Sequence, residues 1–488
     1  MNYKSIGRFI AQILAVEALF LLPALVLSLV YKEPAATRAY LMTLAIVLVL
    51  AGLLYLATRG AKANIYEKEG LVCVGLSWIL MSITGSLPFF LSKEIPSLVD
   101  AVFETASGFT TTGSSILTNI EALDKSLLYW RSFTHWLGGM GVLVFLLAII
   151  PGSEGHSGFT LHLLRAESPG PSVGKLVPQM RKTARILYLI YIAITALDIL
   201  FLLFGGMPVF DAFCIAFGTA GTGGFAVTNA GLGGYSPYIQ VVTTVFMLLF
   251  GVNFSLYYLL LRKDFKSVRK DQELRFYLLT VLGAAVIFII SIFPMYREAG
   301  KTAGDVVRDS FFQVGAIITT TGFATADFNL WPTIAKAVII FLTIIGASAG
   351  STGGGMKCAR ALLTGKTLSR NVRCMMKPNR VIPVRMNGRV VSEDVLRNLH
   401  TYLIAYALIH IVSFFIVCLD GFDLTTSFTA VLTCSNNVGP GLGMVGPTGN
   451  FSQFSILSKL VLIFDMLAGR LEIFPMLVLL SPDTWSRK

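Results

Sequence analysis

The stretch 105-TASGFTTTGSSIL-117 places a run of hydroxyl side chains and a glycine in the middle of a hydrophobic chain. Three further stretches resemble it, namely 217-FGTAGTGGFAVTN-229, 315-GAIITTTGFATADFN-329 and 432-LTCSNNVGPGLGM-444. Aligned on one glycine each, they put Gly113, Gly223, Gly322 and Gly439 in register, at intervals of 110, 99 and 117 residues. Four such spacings predict an internal repeat, which has to be recognised before a fold is assigned.

The sequence around each glycine repeats as well. Each glycine follows a short apolar segment that opens near an acidic residue and has full-length apolar windows on both sides; the acidic residues are Asp100, Asp211, Asp309 and Asp423. Each repeat is therefore predicted as helix, half-helix, loop and helix. Exposed backbone at membrane depth is tolerated only where it is buried in protein or lines a water-filled path. Four such loops around one axis would form that path.

The composition is that of a membrane protein. The chain has 488 residues, of which 55% are hydrophobic and 14% charged, whereas soluble domains are about one quarter charged. About ten to twelve crossings are expected, with no room for a large soluble domain. The clearest apolar windows are 9–30, 40–58, 71–92, 127–150, 184–206, 237–261, 275–296, 398–419 and 454–481.

The net charge of +12 is concentrated in connectors between the apolar windows. This pattern indicates membrane topology and not binding to nucleic acid. By the positive-inside rule the N-terminus and the basic connectors 59–68, 165–185, 262–275 and 357–397 face the cytoplasm. Connectors 206–237 and 420–453 contain no Lys or Arg, so they face the other side. The first apolar run lacks a small-residue cleavage pattern and is predicted to be a retained helix, although a signal peptide is the alternative.

Metal and redox chemistry find little support. The six cysteines form no CxxC pair, which argues against a disulfide framework or a zinc site. His135 falls within a spanning window, while Glu154, His156 and His162 lie in a connector without tight ligand spacing. An intramembrane enzyme or sensor is therefore a remote alternative.

The loop composition suits a hard monovalent cation. Such an ion, stripped of water, needs a ring of oxygen ligands, and backbone carbonyls supply them without a buried net charge. Glycine permits the required backbone conformations, and the half-helices point their partially negative ends toward the axis. Threonine hydroxyls either add ligands or hold the loop by local hydrogen bonds; the candidates are Thr111, Thr112, Thr222, Thr320 and Thr321.

These loops resemble those of the TrkH/KtrB/HKT superfamily of potassium transporters, in which four linked helix–pore loop–helix units build one pore. The resemblance is closest to the TrkH branch, because two extra helices precede the first repeat, and a glycine in the first filter is typical of potassium-conducting members. The fourth loop departs from the threonine pattern. The implied filter residues are Thr111, Thr112, Gly113, Gly221, Thr222, Gly223, Thr320, Thr321, Gly322, Asn437, Val438 and Gly439.

The resemblance divides the chain into two N-terminal helices and four pore repeats. It predicts an all-α polytopic membrane protein. The predicted segments are 1–68 for the N-terminal helices and 69–163, 164–270, 271–392 and 393–488 for the repeats, the third of which has a broken second helix and a basic connector.

A second glycine cluster, 346-GASAGSTGGGMK-357, interrupts the second helix of repeat three. A helix-packing surface or a phosphate-binding loop are the alternatives, but no strand precedes the cluster as a P-loop requires. Each glycine costs a helix about 1 kcal/mol relative to alanine, so a flexible break facing the pore is favoured. In the superfamily the matching segment gates the pore; the residues here are Gly346, Ser348, Gly350, Ser351, Thr352, Gly353, Gly354 and Gly355.

Arg470, in 464-FDMLAGRLEIFPML-477, is the other unusual residue. An arginine deep in a spanning helix is costly unless it faces protein or water. It is either a structural residue paired with Asp465 or Glu472, or a cation in the pore below the filter. The resemblance implies the second role, as a gate arginine.

Acidic residues near the outer ends of the half-helices allow two interpretations. They either concentrate cations at the pore mouth or complement helix dipoles; they are Asp100, Glu104, Asp211, Asp305, Asp309 and Asp423.

The function predicted from the sequence and the resemblance is potassium uptake across a bacterial inner membrane. Potassium is the substrate, and no covalently bound cofactor is expected. The expected partners are membrane lipid, a second copy of the chain and a cytosolic nucleotide-binding regulatory ring (TrkA-like) that docks on connector 357–397. A sodium-permeable or ion-coupled symporter with the same fold is the nearest alternative.

Overall fold

A computed structural model describes residues 1–60, 67–141, 180–377 and 379–486. It is 71% helical, and its described part contains one small antiparallel hairpin, which pairs β1 (Arg385–Met386) with β2 (Arg389–Val390). The predicted all-α polytopic membrane fold is confirmed. The boundaries between repeats stay predictions, and the one near residue 164 lies outside the described residues.

The helices follow the predicted order of two preliminary helices and then repeated units. In the first half of the chain they are α1 (Tyr3–Val30), α2 (Pro34–Ala57), α3 (Glu67–Thr84), α4 (Leu87–Leu91), α5 (Leu98–Phe109), α6 (Lys125–Gly139), α7 (Met180–Phe204), α8 (Val209–Gly221), α9 (Pro237–Phe250), α10 (Phe254–Leu261) and α11 (Phe265–Lys270). In the second half they are α12 (Gln272–Glu298), α13 (Ala303–Ile318), α14 (Thr333–Ile345), α15 (Cys358–Met376), α16 (Glu393–Val417), α17 (Leu424–Ser435), α18 (Ile456–Arg470), α19 (Phe474–Leu480) and α20 (Pro482–Trp485).

Four short helices, α5, α8, α13 and α17, are the half-helices predicted from the sequence. Three of the four are capped by a side chain at the N-terminal end: Ser97 accepts a hydrogen bond from the amide of Asp100, and Thr302 forms a capping box with Asp305. Asp423 caps the fourth by accepting from Thr426. Each half-helix ends directly at one of the four glycine-containing loops, so the four loops begin at the same kind of structural position.

The second helix is interrupted after the loop in repeats two, three and four, whereas the later part of that helix in repeat one lies outside the described residues. In the described residues, six helices are long and apolar enough to cross a membrane, or seven if one bent pair counts as a span. Two of the other predicted windows are split. Window 237–261 was predicted as one span, but α9 and α10 meet at a 90° bend. Window 454–481 is also divided, because Glu472 and Ile473 both take positive φ after α18 ends at Arg470.

The intramembrane break in repeat three begins at Gly346, whose φ of 71° ends α14, and the chain becomes helical again at Cys358. Most of the predicted basic connector 357–397 is helical, since it contains α15 and the start of α16. The chain after the glycine cluster is therefore a rigid helix that continues from the loop.

The buried apolar residues form a core around the loops. One cluster joins α1 and α2 to repeats one and four, with Trp78, Trp130 and Phe109 among its buried side chains. A second cluster lies within repeat three, and a third lies around repeat two. The loops are thus buried in protein, as exposed backbone at membrane depth requires.

Candidate ion pathway

The four loops share one backbone conformation. A residue that is not glycine takes a left-handed φ in each, namely Thr111 at 55°, Thr222 at 54°, Thr320 at 60° and Asn437 at 55°. Two residues later a glycine takes positive φ: Gly113 at 80°, Gly224 at 77°, Gly322 at 78° and Gly439 at 95°. The same pair of positive φ values, two residues apart, recurs in all four loops, so the four loops are structurally equivalent.

This conformation corrects the sequence alignment in repeat two. The alignment placed Gly223 in register with the other three glycines, whereas the structure places Gly224 there. Hydrogen bonds agree, because the amides of Thr112, Gly223 and Val438 each donate to the carbonyl five residues earlier. Gly223 therefore corresponds to the residue before the glycine in the other loops.

The loops close into a ring around one axis. A β-carbon added to Gly113 would overlap the carbonyl oxygen of Gly223 in the next loop. The same relation joins Gly224 to Thr321 and Gly322 to Val438. The circle closes at Gly439, where the added atom would lie 2.8 Å from the carbonyl oxygen of Thr112. Only glycine fits these contacts at a positive φ.

Several threonine hydroxyls hold the ring together. The hydroxyls of Thr110 and Thr112 lie 2.7 Å apart, and those of Thr319 and Thr321 repeat this distance. The Thr222 hydroxyl donates to the carbonyl of Gly221 at 2.6 Å. Of the two roles that the sequence left open for these hydroxyls, the structure shows local hydrogen bonding for Thr112, Thr222 and Thr321.

The fourth loop is tied to the first by its asparagine. The side-chain amide of Asn437 donates to the Thr112 hydroxyl and to the Met466 carbonyl, both at 2.9 Å. Asn436 donates to the carbonyl of Leu432 and exchanges hydrogen bonds with the Tyr406 hydroxyl. The departure from threonine in this loop therefore adds contacts to repeats one and four.

A buried ion pair supports the first two loops from behind. Glu104 accepts from Arg131 at 2.6 Å, and both side chains are almost fully buried. Glu104 also accepts from the Ser115 hydroxyl and the Ile116 amide, each at 2.9 Å. Arg131 donates to the carbonyl of Ala226 at 3.0 Å, beyond the second loop. Buried charges require such pairing and extra hydrogen bonds.

His135 joins the same two loops. Its Nδ1 lies 2.8 Å from the carbonyl oxygen of Gly108, and the amide of Phe225 donates to Nε2 at 3.3 Å. Nδ1 must carry the proton for both bonds to form, which fixes one neutral tautomer. His135 thus connects the first two loops through two backbone groups. Glu154, His156 and His162 lie outside the described residues.

The glycine cluster of repeat three lies directly against two of the four loops. The amide of Gly354 donates to the Thr320 hydroxyl at 2.6 Å. The amide of Gly355 donates to the carbonyl of Asn436 at 2.9 Å, and the nearest neighbours of Gly353 include the carbonyl of Thr319. The loop therefore covers the ring from the side on which the half-helices end.

Arg470 lies between the ring of four loops and the glycine cluster of repeat three. Its Nη1 donates to the Thr111 hydroxyl at 3.2 Å and to the carbonyl of Thr352 at 2.8 Å. Its Nη2 donates to the carbonyls of Gly138 and Gly139, at 2.5 and 2.6 Å. The Thr111 hydroxyl thus accepts a hydrogen bond from Arg470, and the Thr320 hydroxyl accepts one from the repeat-three loop.

The two carboxylates suggested as partners of Arg470 have other roles. Glu472 pairs with Arg360, a buried ion pair stacked on the Tyr402 ring at 4.0 Å. Asp465 accepts from the Ser413 hydroxyl at 2.8 Å. Both carboxylates therefore also serve contacts away from Arg470.

A further carboxylate clamps the repeat-three loop. Glu273, at the start of α12, is buried and accepts from the amide of Ala349 at 2.6 Å and from that of Ala359 at 3.0 Å. Repeat two holds the loop from another side, since the amide of Ser348 donates to the carbonyl of Gly251 at 3.1 Å. Glu273 was not predictable from the sequence, because its partners are backbone groups far along the chain.

The acidic residues at the outer ends have structural partners. Asp100 pairs with Lys459 at 2.6 Å, Asp211 accepts from Tyr235 at 3.0 Å and Asp309 accepts from Tyr296 at 2.9 Å. The Thr302 hydroxyl holds the pKa of Asp305 below its usual value, and the Thr426 hydroxyl does the same for the pKa of Asp423. The contacts favour helix capping and packing over a free acidic mouth.

A membrane chain in which four half-helices direct equivalent loops to one axis belongs to the class of ion-conducting pore proteins. Comparison with known proteins specifies the class. Residues 36–487 match the TrkH family, described as cation transport proteins. The chain belongs to the TrkH family, and it is therefore a multi-span membrane transporter and not an enzyme.

Individual relatives cover the whole chain. Trk system potassium uptake protein TrkH of Salmonella typhimurium is 35% identical over 491 residues, with 99% of this chain and 100% of the relative covered. The protein of the same name from Halomonas elongata is 33% identical, with complete coverage of both chains. The crystal structure of the potassium transporter TrkH from Vibrio parahaemolyticus superposes with a TM-score of 0.89 at 30% identity and covers both chains completely.

Proposed function

We propose that this protein takes up potassium ions across a bacterial inner membrane through the single pathway enclosed by the four loops. The observation that carries the proposal is the closed ring of glycine-to-carbonyl contacts, which places Thr112, Gly223, Thr321 and Val438 around one axis. Such a ring supplies backbone oxygens to a dehydrated cation without a buried net charge. Potassium is the transported substrate, and the ring is no site for a resident cofactor.

The ion ligands proposed here are the carbonyl groups of the four loops. Gly224 joins the residues predicted from the sequence, because it takes the conformation that its three counterparts share. The contacts of the Thr112, Thr222 and Thr321 hydroxyls support a role in holding the loops. The Thr111 hydroxyl is bonded to Arg470, and the Thr320 hydroxyl is bonded to Gly354 of the repeat-three loop. Both hydroxyls become available as ion ligands when Arg470 and this loop move away from the ring.

The gate proposed here consists of the repeat-three loop and Arg470. In this structure both lie against the ring, and a cation leaving it meets the Arg470 guanidinium and the backbone of Thr352 and Gly354. A fixed positive charge at that position repels a cation electrostatically. Opening requires the loop to withdraw from Thr320 and Arg470 to lose its bond to Thr352. This structure therefore corresponds to a closed state.

Helix α15 connects the repeat-three loop to a proposed site of regulation. This helix begins at Cys358, directly after the loop, and carries exposed apolar side chains at its far end, with Met375 at 83% and Met376 at 70% exposure. Exposed apolar patches of this kind mark protein interaction sites. We assign this end, on the cytoplasmic side given by the positive-inside rule, to a separate nucleotide-binding regulatory ring. A homodimer with a cytoplasmic N-terminus completes the assembly.

Growth of potassium-uptake-deficient cells at low potassium tests the proposed function. Cells that express the protein are expected to grow, and cells that express Gly322→Ala are not, because a β-carbon there overlaps the carbonyl of Val438. Membrane expression of both forms is checked by immunoblot. Absence of rescue by the well-expressed wild-type protein, or transport of sodium in preference to potassium, would contradict the proposal; the second result would favour the sodium-permeable alternative.

A further inference from the structure

A cationic groove lies at the junction of repeats two and three, on the side of the basic connectors. It has a volume of about 450 Å³ and is lined by Phe265, Lys266, Arg269, Lys270 and Arg275. Four of the five lining residues are cations. In the described part of the chain, no carboxylate forms an ion pair with any of these four.

The nearby carboxylates are already engaged. Asp264 accepts from the amide and the hydroxyl of Ser267, at 3.1 and 2.7 Å. Asp271 accepts from the amide of Leu274 at 2.8 Å and from the side chain of Asn387 at 2.7 Å. The donors in these bonds are neutral, so both carboxylates keep their charge, but the four cations of the groove outnumber them and the net charge there is positive.

The approach to the groove combines exposed apolar residues with cations. The chain reaches the groove through α10, which leaves α9 at a 90° bend. Beyond the bend, Leu261 is 70% exposed and Phe265 is 64% exposed, next to the first lysine of the groove. Exposed apolar and aromatic residues beside cations are typical of segments that lie in the interface and attract anionic lipid.

We propose that this groove binds the headgroup of an anionic phospholipid of the cytoplasmic leaflet. The phosphate lies among Lys266, Arg269 and Lys270, and the acyl chains extend past Phe265 and Leu261 into the bilayer. Arg275 positions the groove, because its guanidinium donates to the carbonyl of Arg269 at 2.7 and 2.9 Å and so holds α11 against α12. Lipid is favoured over a soluble anion because the apolar residues adjoin the cations.

The site is coupled to the repeat-three loop through the bend. The amide of Phe254, the first residue of α10, donates to the carbonyl of Gly350 at 3.0 Å. On the other side of the bend, the Thr352 hydroxyl donates to the carbonyl of Phe250 at 3.2 Å. A lipid that fixes α10 and α11 at the membrane surface therefore fixes one support of the loop. This coupling rests on the proposed gating function, whereas lipid binding does not.

Lipid retention by the purified full-length protein tests the binding step. Native mass spectrometry is performed during titration with phosphatidylglycerol. We expect Lys266→Gln combined with Lys270→Gln to retain this lipid about 30-fold less well, since each of the two cations near a membrane surface adds on the order of 1 kcal/mol of attraction. The matched control is Lys4→Gln with Arg59→Gln, two exposed cations elsewhere on the basic side. Equal retention by both double variants, or displacement of the lipid by inorganic phosphate, would overturn the proposal.

Potassium flux in liposomes tests the coupling. The wild-type flux is expected to change severalfold between phosphatidylcholine vesicles and vesicles that contain phosphatidylglycerol, and the groove variant is expected to lose this dependence while the control variant keeps it. If the flux does not depend on lipid charge but Arg470→Ala still changes the flux, the coupling is overturned. The proposed gate is not affected by that result. If no form conducts potassium, the proposed function fails, and the retention measurement still decides whether the groove binds lipid.

Discussion

Replacement of Arg470 by alanine is expected to raise potassium flux. Among the hydrogen bonds of Arg470, the one from its guanidinium to the carbonyl of Thr352 joins the side chain to the repeat-three loop at 2.8 Å. Hydrogen bonds from charged donors contribute about 1.5–3 kcal/mol each. Loss of about 2 kcal/mol that stabilises only the closed position shifts the balance of closed and open forms roughly 30-fold. Removal of the guanidinium charge from the pathway adds to this effect.

The assay measures potassium flux down a potassium gradient in liposomes that contain the purified protein without a regulatory subunit. Arg470→Lys is the matched control, because it keeps the positive charge and loses the fork that reaches the loop, Gly138 and Gly139 together. We expect flux to follow the order alanine, lysine, arginine, from highest to lowest. Monodispersity and thermal stability show whether each variant is folded. Unchanged flux in a folded Arg470→Ala protein would refute the gating role.

Three further predictions concern the ring and its supports. Gly224→Ala is expected to abolish transport, because alanine at a left-handed φ costs about 1–2 kcal/mol and its β-carbon overlaps the carbonyl of Thr321; normal transport would show that the register is wrong. Glu104→Gln is expected to lower the melting temperature, since an uncompensated buried Arg131 costs about 3–5 kcal/mol of stability. The double variant Glu104→Gln with Arg131→Met is expected to have a higher melting temperature than Glu104→Gln alone. Glu273→Ala is expected to raise flux severalfold by releasing the loop, and Glu273→Gln, which keeps an acceptor oxygen, to raise it less; equal flux in both would contradict the clamp.

The repeat and its loops were predictable because their chemistry is local. A run such as Thr110 to Gly113 is unusual within an apolar chain, and its recurrence indicates the fourfold plan. The register failed where the local pattern is degenerate. Repeat two contains Gly223 and Gly224 in succession, and only their contacts with neighbouring loops decide which one takes the left-handed conformation.

The interruptions of the second helices were only partly predictable. The break at Gly346 is visible as a glycine cluster, whereas window 237–261 is continuously apolar and hides a 90° bend. That bend is stabilised by hydrogen bonds to a loop that is about one hundred residues away in the sequence, such as the one from Phe254 to Gly350. Hydropathy contains no information on such contacts.

The supports behind the ring needed the tertiary structure. Glu104 had two interpretations from the sequence, and its pairing with Arg131 decides for the structural one. Arg131 itself could have been noticed, because it is a charge in a spanning window just as Arg470 is. The role of His135 depends on two backbone groups in different repeats, so no sequence pattern indicates it.

The central claim is that four equivalent loops form one potassium-selective pathway. Its most direct test is a comparison of potassium and sodium flux in liposomes under defined gradients of each ion, with wild-type protein and with Gly322→Ala. The account predicts that potassium flux exceeds sodium flux in the wild-type protein and is lost in the variant, whose added β-carbon overlaps the carbonyl of Val438. Preference for sodium, or potassium flux that survives this substitution, would contradict it.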